Sequence, residues 1–326
     1  VVVCVSAVSA CGGDDVSFPD PALNSVAKVK KCLSQVDVNQ LDGSGQSMLM
    51  IAGRNNYIEI AKLLISNKAN VNIKTNSNET ALMFAAMNGH AEMVKLLVES
   101  GADVKARNSY NLDAIIYAAM NEYKTVVSLL HCSGVEKNKI DVSYVAKWGS
   151  PMMAENLVDM GCNPNYRGYT GKTPLYSSAD IQNESMFDKL IKGGADVNLQ
   201  NRDGATALHS CISNKNIRQI RTLLDSGCDV NVADNAGMFP LLLAAKVGDL
   251  KLMRTLVEKG ANVNAKDNND ATAAFVAAMQ NNVEMMNLLL EFKADVTIRS
   301  AWGTPHEHAD KRKYKEIVDL LDAVKK

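Results

Sequence analysis

Neither sign of charge prevails in this chain: 35 Lys and Arg stand against 36 Asp and Glu, a formal net charge of -1 over 326 residues. A protein built to sit on nucleic acid carries a basic excess or a basic face. Here no run of five like charges occurs, and the longest basic cluster, Lys311-Arg312-Lys313, reads as solvated surface. Nor does any stretch approach the roughly 20 apolar residues of a membrane-spanning helix. Cysteines are scattered singly. Cys32, Cys132, Cys162, Cys211 and Cys228 show no C-x-x-C spacing, which removes zinc and redox motifs and predicts free thiols. No Gly-rich loop opens onto a helix as a phosphate cradle does. What the chain does have is 47% apolar and 22% charged residues, the proportions of a globular protein.

The start is the one unusual segment. Val1 to Ala10 are mostly apolar or small and lead into Cys11-Gly12-Gly13-Asp14-Asp15. With no methionine and no basic n-region, the sequence is expected to lack an upstream piece, and its first residues read as the tail of a signal-peptide h-region. Val8-Ser9-Ala10-Cys11 is similar to a bacterial lipobox. That likeness implies a lipid on Cys11, residues 1–11 as a signal remnant, 12–24 as a flexible tether, and a place in the bacterial envelope. The alternative is an unstructured terminus or short strand with an incidental cysteine, on a cytoplasmic or host-directed adaptor.

Beyond residue 25 a period of 33 governs the chain. The triplet Asp37-Val38-Asn39 returns as Asn70-Val71-Asn72, Asp103-Val104-Lys105, Asn163-Pro164-Asn165, Asp196-Val197-Asn198, Asp229-Val230-Asn231, Asn262-Val263-Asn264 and Asp295-Val296-Thr297. Internal repetition of this length marks a stacked array. Six residues after each triplet stands a residue that tolerates positive φ, such as Gly45, Asn78, Asn111 or Gly204. Two residues later comes a helix N-cap: Ser47, Thr80, Asp113, Thr173, Thr206, Thr272. A short helix with paired alanines follows, as in Ala85-Ala86 and Ala277-Ala278. A second helix then places a leucine six residues before the next triplet: Leu64, Leu97, Leu130, Leu157, Leu190, Leu223, Leu256 and Leu289. Glycines such as Gly101, Gly194 and Gly260 end that helix.

One such unit cannot bury its own apolar face, whereas stacked copies can. The pattern resembles the ankyrin repeat over about residues 25–326. Thr173-Pro174-Leu175-Tyr176 and Thr206-Ala207-Leu208-His209-Ser210-Cys211 match the family's Thr-Pro-Leu-His-x-Ala motif. The resemblance implies an all-α repeat solenoid of stacked helix-turn-helix units with β-hairpin fingers. It implies about eight central repeats plus caps in a single domain spanning 25–326. The closing repeat, from Ile298, carries His306 at the motif's leucine position and a polar last helix, as a solvent-facing cap requires. The repeat at Lys139–Tyr166 lacks six residues, all from its finger, and predicts a notch in the array.

Function in such a fold is expected on finger tips and first helices, as the binding of another protein on the concave face by a monomer. Tips lie four, five and seven residues past each triplet. Seven of the nine tyrosines fall between 110 and 176. With the preference of binding hot spots for Tyr, Trp and Arg, this selects Tyr110, Leu112, Trp148, Tyr169, Lys172 and Arg202. Tyr117, Tyr144 and Tyr176 are expected to pad the core instead. No cofactor, nucleic-acid or metal site is expected. His306 and His308 lie two apart and face different sides of a helix, with no further ligands evident. The same spacing separates His209 from Cys211, so no nucleophile and base pair arises. The chain is not expected to be an enzyme.

Overall fold

The computed structural model describes residues 26–34, 36–134, 140–148, 151–168 and 171–324. Contacts group the chain into two compact units, dividing between Asn163 and Pro164. In the first, α1 (Val26–Cys32) precedes the helix pairs α2 (Met48–Asn55) and α3 (Ile58–Ser66), α4 (Ala81–Met87) and α5 (Ala91–Glu99). Next come α6 (Ala114–Met120) and α7 (Lys124–Cys132), then α8 (Val142–Trp148) and α9 (Pro151–Asp159). In the second unit the pairs are α10 (Pro174–Asp180) and α11 (Glu184–Lys192), α12 (Ala207–Ser213) and α13 (Ile217–Asp225), α14 (Pro240–Val247) and α15 (Leu250–Glu258). It closes with α16 (Ala273–Met279) and α17 (Val283–Glu291), and α18 (Pro305–Arg312) and α19 (Lys315–Val324).

Most first helices begin where a side-chain oxygen can take an orphan amide, whereas α14 starts on Phe239 with no side-chain cap and Pro240 in its first turn. Ser47 accepts from the Met50 N–H at 3.3 Å, Thr80 from Met83, Asp113 from Ile116, Thr173 from Tyr176 and Thr272 from Phe275. Four second helices of the second unit are capped the same way, by Asn183, Asn216, Asp249 and Asn282. The alanine pairs are fully buried, and first helices lie side by side on them: α2 on α4, α4 on α6, and α10 through α18 in series. The recurring leucines are all buried, from Leu64 to Leu289. Each is a core knob whose loss costs about 2–5 kcal/mol.

The triplet proves to be a staple. Its first residue folds its side chain onto the amide two residues on, as Asp196 does with the Asn198 N–H at 2.9 Å. Its third residue reaches the next repeat. Asn39 Oδ1 accepts the Asn70 N–H, and Asn72 Oδ1 the Asp103 N–H, both at 2.7 Å. In the second unit Asn165 bonds Asp196, Asn198 bonds Asp229, Asn231 bonds Asn262, and Asn264 bonds Asp295. Asn72 and Asn231 also donate from Nδ2 to the carbonyls of Gly101 and Gly260. Lys105, third in its own triplet, has no side-chain oxygen with which to continue the ladder.

Where β-hairpins were expected, the described residues hold two isolated antiparallel bridges, Leu41–Ser47 and Ser300–Gly303, and no strand. The legs are too short for a ladder, and a side chain at the base does its work. Asn108 Oδ1 takes the amides of Tyr110 and Leu112, while the Asn108 N–H donates to the Leu112 carbonyl. Asp42, Thr75, Asn201, Asp234 and Asp267 repeat this arrangement. Residues 135–139, where the notch was expected, lie outside those described, as do Cys11 and residues 12–24.

Candidate protein-binding site

Side-chain acceptors at the finger base and bonds between neighbouring fingers leave the tips free to face outward. The Ser109 N–H donates to the Ser77 carbonyl at 2.8 Å, Arg202 to Gly171 at 3.0 Å and Asn235 to Asp203 at 2.9 Å. On this frame Tyr110 is 63% exposed while its own amide is held by Asn108. Leu112 corrects the expectation made for it. It is 5% exposed, because closing the finger against Asn108 and passing straight into the Asp113 cap turns its side chain into the core. It can fill the core but not touch a partner.

In the second unit Lys172 and Arg202 stand on neighbouring fingers. Lys172 gives its charge to Asp180 at 2.7 Å and lies 5.1 Å from the Tyr176 ring centre. Arg202 is exposed and its side chain crosses Gly171, where a Cβ would come within 2.8 Å of the Arg202 Cβ. That close approach, with φ at +69°, is what requires glycine there. Trp148 falls in α8, but its side chain, like the whole of Tyr169, lies outside the described residues.

The three tyrosines expected to pad the core are half-buried. The Tyr117 hydroxyl accepts from Asn108 and meets Glu79 at 3.3 Å, and burial, then the Glu79 charge, pushes it up to about 12. His209 is structural: Nδ1 meets the Thr206 hydroxyl at 2.9 Å and Nε2 the Met238 carbonyl at 2.8 Å, tying α12 to the following finger. Burial lowers its pKa, which favours the neutral ring. His90 meets the Arg54 carbonyl in the preceding pair. Cys132, Cys162, Cys211 and Cys228 are free thiols, and burial pushes Cys211 up to about 12 and Cys228 to about 11, leaving them unreactive near neutrality. Among the described residues no group of three His, Cys, Asp or Glu is placed to hold a metal, and no helix is long and apolar enough to cross a membrane.

Sequence reasoning passed over one feature. Trp302, five residues past the last triplet, is 59% exposed and stacks on Phe275 with ring centres 5.9 Å apart. The tip rule applied to the closing repeat would have selected it.

A family model described as ankyrin repeats in three copies matches the chain over residues 22–108, 49–141, 142–234 and 220–300. No curated protein matches it. With capped helix pairs, side-chain staples and a family match running from 22 to 300, this chain belongs to the ankyrin-repeat family.

Proposed function

We propose that this chain is a scaffold that holds another protein on its finger tips and first helices, and that a lipid on Cys11 tethers it in a bacterial envelope. Ankyrin repeats are protein-protein interaction modules and typically non-enzymatic scaffolds. The observation that carries the binding reading is Tyr110: a large aromatic side chain 63% exposed on a finger whose backbone is fully tied down. Binding there costs little ordering entropy, and tyrosine is a favoured anchor. In the second unit Arg202 is the corresponding anchor, with Lys172 on the finger before it; Trp148 in the first unit and Tyr169 in the second are added by their positions in the sequence. Leu112 is left out.

The test begins with the partner captured on the purified chain and identified by cross-linking. Tyr110→Ala should then weaken its binding by about 2 kcal/mol or more, roughly thirtyfold, with thermal unfolding unchanged. Normal binding by both Tyr110→Ala and Arg202→Ala would reject the finger tips as the binding elements. The tether rests on Val8-Ser9-Ala10-Cys11. Natively expressed protein should begin at Cys11 with added lipid and partition with membranes, and Cys11→Ala should release it. A native product retaining residues 1–10 would reject the tether.

A further inference from the structure

The second unit ends in a groove of about 940 Å³ between α16, the last finger and α18. Its floor is aromatic. Phe275, buried at 3%, stacks on Trp302 at 23° between ring planes and meets the edge of His308 with centres 5.3 Å apart. Met279, 44% exposed, extends this apolar surface from the end of α16.

Trp302 is held in place before anything binds. Its backbone N–H donates to Ser300 Oγ at 3.2 Å, Ser300 and Gly303 bridge, and the Ala301 N–H donates to the Asn269 carbonyl in the neighbouring finger. In the other described fingers the same position holds Ser44, Ser77, Tyr110, Asp203, Ala236 and Asn269. Only Tyr110 and Trp302 are aromatic there.

The rim is charged on one side. Arg299 Nη1 reaches both Glu307 oxygens, at 2.6 and 2.7 Å, so those two charges cancel. Lys311 and Arg312 also line the groove, and among the described residues no carboxylate pairs with either. Their field helps burial lower the pKa of His308. The groove therefore combines an aromatic floor with two cations that no carboxylate pairs. The chain as a whole carries a net charge of -1, so this is a local excess and not a general basic face.

We propose that this groove docks an acidic peptide segment of a partner protein, an aromatic side chain resting on Trp302 and Met279 and flanking carboxylates on Lys311 and Arg312. A nucleic acid shares the stacking and the positive charge, but two free cations are few for a strand whose every step brings a phosphate. The thioether and the stacked rings suit an apolar anchor. The inference deepens the reading of the chain as a protein-binding scaffold and moves one binding element to the far end of the second unit.

The probe is a fluorescein-labelled synthetic peptide, Glu-Glu-Asp-Phe-Glu-Glu, titrated by anisotropy into the full chain. Wild type should bind it. Trp302→Ala and the double change Lys311→Glu with Arg312→Glu should each weaken binding at least tenfold, with unchanged melting. Replacing the peptide's Phe by Ala, or its acids by amides, should do the same, and Tyr110→Ala should leave this binding untouched. The inference is overturned if the peptide fails to bind, if Trp302→Ala binds it normally, or if an oligo-dT strand binds more tightly. It is also overturned if light scattering shows self-association that Trp302→Ala abolishes, which would make a second copy the occupant. A native partner lost with Tyr110→Ala, together with a peptide that does not bind, would remove this inference and leave the scaffold reading standing. A peptide bound at Trp302, with no partner sensitive to Tyr110, would do the reverse.

Discussion

Asp113 caps α6 from a nearly inaccessible site, and burial raises its pKa from 3.8 to about 6, outweighing the pull of the Ile116 amide and of Arg107. Asp141 nearby adds to the rise. Below about pH 4 the acid is protonated whether the chain is folded or not. Between there and about pH 6 the unfolded chain ionises while the folded one resists, so stability falls as pH rises and stays lower above it. The loss from this one group is about 3 kcal/mol. Asn also caps well, so Asp113→Asn should flatten that slope in urea melts run from pH 4 to 7. A slope unchanged in the variant would show that Asp113 is not its source. A second residue-scale case is Lys293. It ends α17 with φ at +59°, where the corresponding residues Gly101, Gly194 and Gly260 adopt that conformation without a Cβ. Lys293→Gly should therefore stabilise the second unit by about 0.5–1 kcal/mol, measured as a shift in the denaturant midpoint.

At the scale of elements, two devices bind repeat to repeat, and they differ in strength. Leu223 is fully buried, so Leu223→Ala opens a cavity and should cost about 2–5 kcal/mol. Asn198 is a ladder rung near water. Because water can satisfy the freed Asp229 amide, Asn198→Ala should cost only about 0.5–1.5 kcal/mol. Equal costs for the two would mean that the ladder carries more of the interface than its exposure allows. Both devices were legible in the sequence as positions, the leucine with its meaning and the triplet without it. Spacing alone showed that an Asn recurs, but its bond to a residue 31 further on exists only once repeats stack. The N-caps of first helices were legible because a hydroxyl or carboxylate before an apolar run has one common use. Those at Asn183, Asn216, Asp249 and Asn282 were not read, since Asn inside a turn has several. Fingers were misjudged for the same reason. The acceptors at Asn108 and Asn201 replace strand pairing, and that substitution also pulls Leu112 inward. At the candidate site the exposure of Tyr110 followed from its register. The Trp302 groove depends on Phe275 and Met279, which lie over 20 residues earlier and meet it only in the fold.

For the whole molecule, contacts group the chain into two units that divide between Asn163 and Pro164, each a stack of its own repeats. Nearest-neighbour stacks pass a defect to adjacent repeats and lose it at a weak coupling. Leu97→Ala should accordingly speed amide exchange through α2 to α7 while leaving α12 to α17 at wild-type protection. Loss of protection in both sets would mean that the chain unfolds as one block. Within the second unit the staples at Asn165, Asn198, Asn231 and Asn264 follow one another without a gap. Under tension this makes them links in series. A chain gripped at its C-terminal end and pulled should surrender one rung at a time. Each release frees 33 residues, which extend to roughly 110 Å at about 3.3 Å apiece. The force trace should be a sawtooth of near-equal teeth, and the second unit a spring that lengthens in counted steps.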